Sequence, residues 1–289
     1  MTDQDSFQRF IFEDIGVRGE LVRLDASWQT VLERHTYPSA VSNQLGQALA
    51  AVLLLSATIK FQGSLILQAQ GEGPLHTVVA QATHRRAIRG LAQWRDEVPT
   101  GTLSDVYGAG RLVLTIQNEG AEPYQGIVAL EGPNLASSIQ AYFSRSEQLA
   151  TRLWLAADGQ RAAGLFIQEL PVQKGTRTDW DRVALLADTI TEAELLSLPS
   201  EILLYRLFNE EKVRLFEPER VTFRCSCSRE RIETMLRGLG RHEVESVLRE
   251  QGSVDVGCEF CNRRYTFDPV DIHALFAEVV SLPAPRTRQ

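Results

Sequence analysis

The sequence predicts an α+β protein: an N-terminal antiparallel-sheet domain with helices over residues 1–176, a helical linker over 177–224, and a small cysteine-bearing domain over 225–289. Three observations carry this. Alternating apolar runs that end at Gly-containing turns fill the first part, with helical patterns between them. From about Thr176 to Phe223 the pattern changes to short leucine-rich helices cut by Pro199 and Pro218, with little room for strands. All four cysteines then fall between positions 225 and 261. Antiparallel strand pairs with interleaved helices define the α+β class.

Taken in order, the first helix signal is Leu45, Leu49, Val52, Leu53 and Ser56, at helical spacing. SLILQAQ (64–70) and RLVLTIQ (111–117) read as strands, and the alternating run Tyr124 to Leu130 after NEGAEP pairs with the second of them. Ile139, Tyr142 and Phe143 give a helix capped by Asn134. Thr151–Ala157 and Ala162–Leu170 flank Asp158-Gly159, a hairpin signal because glycine accepts positive φ. In the linker, Thr191 and Glu194 form a capping box before LLSL, and Pro199-Ser200 restarts a helix at EILLYRLF. Beyond the first cysteine pair, Ser228 caps a helix that ends at Gly238 or Gly240, and a second helix runs from Arg241 to Glu250, ended by Gly252. A strand, the second cysteine pair, the strand Arg263–Phe267 and a helix opened by Asp268-Pro269 follow. The terminal PAPRTRQ is expected to lack order.

Composition bounds the function. With 289 residues and 44% hydrophobic side chains, the chain can bury a substantial core. The N-terminus MTDQDSFQRF has no basic region followed by an apolar stretch, and the most apolar run, ALAAVLLLSATI (48–59), is shorter than the ~20 residues a membrane span needs. The expectation is a cytoplasmic protein with no membrane partner. A net charge of −7, with basic and acidic residues nearly balanced in the tail, argues against a nucleic-acid partner. Glycines in QGEGP and GAG read as turns, since no phosphate-binding fingerprint is present. The histidines form no arrangement with a serine or cysteine nucleophile, so no enzyme is expected; His242 and His273 read as exposed helix residues.

Cysteines that only pack are scattered through a sequence; these are not. Cys225 and Cys227 form a CxC pair, Cys258 and Cys261 a CxxC pair, and 30 residues separate the two. In a reducing compartment such pairs bind metal or act in redox chemistry. Zinc takes four ligands at tetrahedral corners, with sulfur roughly 2.3 Å away, and two close pairs brought together by a helical hairpin supply them. A tail of this size makes a poor independent core, and a metal can hold such a segment together. Arg224, Arg229, Arg263 and Arg264 flank the ligands and are placed to offset the charge of a tetrathiolate centre. A structural zinc site, a thiol oxidoreductase and a redox switch all use this residue set. CxxC here lies neither at a helix start nor in a βαβ context that would lower a thiol pKa, which disfavours the oxidoreductase. Spacing leaves the structural site and the switch open.

CxC, about 30 residues, then CxxC at the C-terminus closely resembles the thirty-three-kilodalton heat-shock protein family, the redox-regulated holdase chaperones of bacteria. The resemblance extends over nearly the whole chain, through VRGELVRL (17–24), HTYPSAV (35–41), SATIKFQGSLILQAQGEGPL (56–75), GRLVLTI (110–116), YQGIVAL (124–130) and AYFSRSEQLAT (141–151). Ala150 stands where the family pattern has proline, at a turn.

The resemblance implies a substrate-binding first domain, a linker, and a zinc redox domain holding one Zn²⁺ through Cys225, Cys227, Cys258 and Cys261. It further implies that oxidants convert these thiolates into the disulfides Cys225–Cys227 and Cys258–Cys261, with loss of zinc and unfolding of the tail. Unfolded client proteins would then bind without ATP, the chain would form a homodimer on activation, and clients would pass to the seventy-kilodalton heat-shock foldase system. The linker leucines Leu185, Leu186, Leu195, Leu196, Leu203, Leu204 and Leu207 need a cover, and short helices have little stability of their own. The alternative is a constitutive structural zinc site serving as an interaction module.

Overall fold

A computed structural model describes residues 5–147, 149–171 and 176–277; the terminal PAPRTRQ lies outside the described residues. The chain divides into two compact units, Met1–Cys225 and Ser226–Gln289.

The first unit contains two six-stranded sheets. Its elements in order are β1 (Ser6–Phe12), β2 (Val17–Leu24), α1 (Ala26–Arg34), α2 (Ser39–Leu55), β3 (Gly63–Gly71), β4 (Leu75–Thr83), β5 (Ala87–Trp94), α3 (Leu103–Tyr107), β6 (Gly110–Asn118), β7 (Tyr124–Ala129), α4 (Leu135–Tyr142), β8 (Thr151–Ala157) and β9 (Ala162–Glu169). Then come the helices α5 (Arg177–Ala187), α6 (Glu192–Ser197) and α7 (Ser200–Phe208), and the short strands β10 (Val213–Leu215), β11 (Glu219–Arg220) and β12 (Thr222–Phe223). One sheet runs β10-β1-β2-β9-β8 with β11 also on β1; the other runs β12-β5-β4-β3-β6-β7. All pairings are antiparallel except β12 on β5.

The apolar run at 48–59 belongs mostly to α2, which packs against strands of both sheets. That is why it is apolar all round: Leu45, Leu49, Val52, Leu53 and Leu54 are fully buried. Close approach needs small partners. A Cβ on Gly164 of β9 would lie 2.7 Å from a Leu54 methyl, and one on Gly46 of the helix 2.5 Å from the Ala157 side chain.

The outer face of the β1-β2-β9 sheet presents Phe10, Phe12, Val17, Leu21, Leu165 and Ile167, and α5 to α7 cover it with Trp180, Val183, Leu195, Leu203, Leu204, Leu207 and Phe208. Leu186 and Leu196 are partly buried against the same cluster, whereas Leu185 faces solvent at 70% exposure. The Thr191–Glu194 capping box forms. Arg23 of β2, itself buried, donates to the carbonyls of Leu196 and Leu198 at the end of α6.

Two expectations are corrected. Residues 213–223 form strands where helices were expected, because edge positions on β1 and β5 are open to them. The β8–β9 turn does not use a positive φ at Gly159; the Asp158 carboxylate accepts from the N–H groups of Gln160 and Arg161, both at 2.7 Å, and closes the loop itself.

The second unit holds α8 (Arg229–Leu239), α9 (Arg241–Gln251), the antiparallel hairpin of β13 (Val254–Gly257) and β14 (Arg264–Phe267), and α10 (Pro269–Phe276). Ser228 caps α8, left-handed Gly252 ends α9, and Asp268 caps α10 in a capping box with Asp271. Its core is Leu236, Val244, Val254, Tyr265, Phe267 and Ile272. Among the described residues no helix is long and apolar enough to cross a membrane.

Candidate metal centre

Each cysteine is positioned by the end of a regular element. Arg224, one residue before Cys225, donates its N–H to the Ile88 carbonyl at 2.9 Å and so ties the chain to β5. Cys227 precedes the Ser228 cap of α8 and packs against the core of the second unit. Cys258 follows β13 and donates its N–H to the Arg263 carbonyl at 2.9 Å; its own carbonyl accepts from Cys261 at 3.3 Å and Asn262 at 2.7 Å. Asn262 completes the turn with φ of 55°, a left-handed conformation that asparagine tolerates better than most residues.

The result is a cluster. The four sulfurs all lie within 4.8 Å of one another, with Cys227 Sγ and Cys261 Sγ 3.4 Å apart. A tetrahedral ion bonded to four thiolates at roughly 2.3 Å requires sulfurs about 3.8 Å apart, and this group sits in that range. Soft thiolate donors suit zinc and other thiophilic ions. Among the described residues, no other group of three or more His, Cys, Asp or Glu side chains comes close enough to hold an ion.

Two neighbours of the sulfurs were not expected from the sequence. The Tyr265 hydroxyl donates to Cys227 Sγ at 3.2 Å, and that bond pushes the tyrosine pKa upward. Arg89 of β5 brings its Nη1 to 4.0 Å from Cys225 Sγ. Alternation along RYTF places Tyr265 and Phe267 on the buried face of β14, a signal that was available; Arg89, far away in sequence, gave none. Of the flanking arginines, Arg229 is committed elsewhere, pairing with Asp271 at 2.7 Å and lying 4.2 Å over the Phe267 ring. Arg263 lies 5.7 Å from the Tyr265 ring centre. His242 and His273 are exposed on α9 and α10. The glycine-rich QGEGP segment is a turn in which Gly73 donates to the Tyr107 carbonyl at 2.7 Å.

The family model described as Hsp33 protein matches residues 5–268. The chain belongs to the Hsp33 family. Its similarity to curated relatives runs end to end: it is 66% identical over 288 residues to the 33 kDa chaperonin of Nitrosococcus oceani, covering 100% of both chains. It is 43% identical over 287 residues to that of Shewanella woodyi, covering 99% of each. The crystal structure of the 33 kDa chaperonin from Thermotoga maritima superimposes with a TM-score of 0.83 over 94% of this chain and 97% of that one, at 23% identity, and shows that the Hsp33 fold is shared. Hsp33 membership supports a chaperone, in a chain whose four clustered cysteines are able to hold a metal ion.

Proposed function

We propose that the chain is a redox-regulated, ATP-independent holdase in three working parts: a core over 1–176, a linker over 177–224 and a redox domain over 225–289. The observation that carries this reading is the coexistence of a four-sulfur cluster in the tail with a linker whose apolar side chains cover a sheet face rich in aromatic and aliphatic residues.

Cys225, Cys227, Cys258 and Cys261 hold one Zn²⁺ in the reduced protein. When bound, zinc supplies a tetrahedral junction that joins the CxC and CxxC loops and contributes roughly 10–16 kcal/mol to folding. A core of six buried side chains does not replace that. Hypochlorous acid or peroxide takes two electrons from each cysteine pair, forming Cys225–Cys227 and Cys258–Cys261, and the oxidised sulfurs no longer act as ligands. With all four sulfurs mutually close, this pairing follows the family resemblance and the chain neighbours, not distance. The tail then loses its fold and the linker loses its support.

The linker responds because its helices are short. α5, α6 and α7 have 11, 6 and 9 residues, below the length at which an isolated helix is stable in water. Their hold on the sheet comes from buried Leu and aromatic side chains, each worth about 2–3 kcal/mol. Once loosened, both surfaces become apolar patches that bind unfolding clients. Homodimerisation follows activation, and clients pass to the seventy-kilodalton heat-shock foldase system in the cytoplasm. Zinc release and suppression of client aggregation, followed together through an oxidant titration, test the reading. The two curves rise together if it is right. Full activity in the zinc-loaded reduced protein would leave only a structural metal site.

A further inference from the structure

Tyr265 stands in the core of the second unit, opposite Val256 in the β13–β14 ladder and 8% exposed. Two residues on, Phe267 packs in the same core without a hydroxyl. Packing alone therefore does not require a phenol at 265. A buried hydroxyl without a partner is costly; here it donates to the Cys227 sulfur at 3.2 Å, and the Arg263 side chain also bonds to it. The position combines an apolar ring in the core with a single polar atom aimed at one member of the sulfur cluster.

We propose that Tyr265 is a positioning residue for the thiol chemistry of the tail, its hydroxyl holding the Cys227 sulfur in place and restraining that sulfur against oxidation. The proposal rests on the zinc–thiolate reading given above. Oxidation by peroxide begins with a sulfur lone pair attacking one peroxide oxygen: the O–O bond breaks, an S–O bond forms, hydroxide leaves, and the thiolate becomes a sulfenic acid. A neighbouring thiolate then attacks that sulfur, an S–S bond forms, and a second hydroxide leaves, so two electrons have passed from two sulfurs to the peroxide. The first step draws on electron density that an O–H donor already engages, and nucleophilicity of sulfur falls as that density is withdrawn. Partners of this kind, one bond removed from a metal centre, typically change affinity or activity by about 10–100-fold.

The experiment compares the zinc-loaded full chain with Tyr265→Phe. Peroxide-driven zinc release is followed with a metal indicator, and timed alkylation with mass spectrometry assigns which cysteine reacts first. Zinc loss to a chelator without oxidant is the control for a merely structural role. The expected result is peroxide-driven release faster by about tenfold, the lower end of that range, with Cys227 modified earlier and chelator-driven loss rising by a smaller factor. An unchanged peroxide rate, or a chelator rate that rises by the same factor, overturns the proposal. If the Phe variant fails to retain zinc, 3-fluorotyrosine at 265 carries the test: its stronger donor is expected to slow oxidation at Cys227, and no slowing overturns the proposal. A wild-type chain that binds no zinc would overturn the zinc reading, and this proposal with it; a zinc-loaded Tyr265→Phe chain behaving as wild type overturns this proposal alone.

Discussion

Phe10 covers Gly19 on the outer face of the first sheet: the two are cross-strand partners, and a Cβ built on Gly19 would lie 2.1 Å from Phe10 Cζ. The ring also approaches Phe208 of α7, with centroids 6.4 Å apart, and Phe208 meets Phe12 edge-on at 5.0 Å. The absence of a side chain at 19 thus sets how deeply α7 can sit.

Gly19→Ala is expected to lift Phe10 into α7 and destabilise the linker contact by about 1–3 kcal/mol, the usual cost of overpacking. The reduced, zinc-loaded variant should suppress client aggregation at lower temperature than the wild type. Light scattering of a thermally unfolding client checks this, and identical temperature profiles would refute it.

Arg86 and Glu219 form a second fastening. Arg86, buried and 3.9 Å over the Phe7 ring, donates Nε to Glu219 at 2.9 Å and Nη1 to Ser56 at 2.7 Å, while Arg9 pairs with the same carboxylate. Burial pulls the Glu219 pKa up, but the two arginines outweigh it and hold the carboxyl below its usual range. A lowered carboxylate pKa contributes stability above the unfolded value, lost as pH falls through the folded one. Glu219→Gln should cost about 1 kcal/mol at neutral pH, less than a fully buried pair because the side chain is 37% exposed. Hydrogen exchange should speed up at Val221 and Thr222, whose N–H groups bond to Asp5 and Arg86 carbonyls.

Glu20 of β2 is buried, and burial raises its pKa to about 7 despite Arg18, Arg9 and Arg86. The folded state then holds this proton more tightly than the unfolded chain, so stability falls as pH rises from about 4.5 to about 7 and levels off above that. The span corresponds to roughly 3 kcal/mol. Glu20→Gln should remove this slope and be more stable than wild type at pH 8. Urea unfolding at pH 5 and 8 checks it; parallel slopes in the two proteins would sink it.

Cys258→Ser should abolish tight zinc binding, because three thiolates cannot fill four corners. Metal analysis of the purified protein reads this directly. Retention of one zinc per chain after all four cysteines become serine would end the assignment.

The parts of this fold legible in the sequence are those whose signal is local. The strands at 64–70, 111–117 and 124–130 alternate or run apolar, and the caps at Asn134, Thr191, Ser228 and Asp268 each form a side-chain bond three residues on. The cysteine spacing brought four sulfurs together. What escaped depends on distant partners. β10 to β12 have two or three residues each, too few to show a period, and they exist because β1 and β5, far away in the chain, leave edges open. Arg89 reaches Cys225 by the same route. Leu185 looked like its neighbours in sequence, but its turn of α5 points it away from the sheet.

All four tryptophans lie in the first unit, and they divide by layer: Trp28 and Trp94 belong to the inner core, Trp154 and Trp180 to the cluster beneath the linker helices. Indole emission therefore acts as a built-in gauge. The cysteine-bearing tail carries no indole of its own; departure of α5 to α7 reddens half of the fluorophores, and only collapse of the central helix reaches the rest.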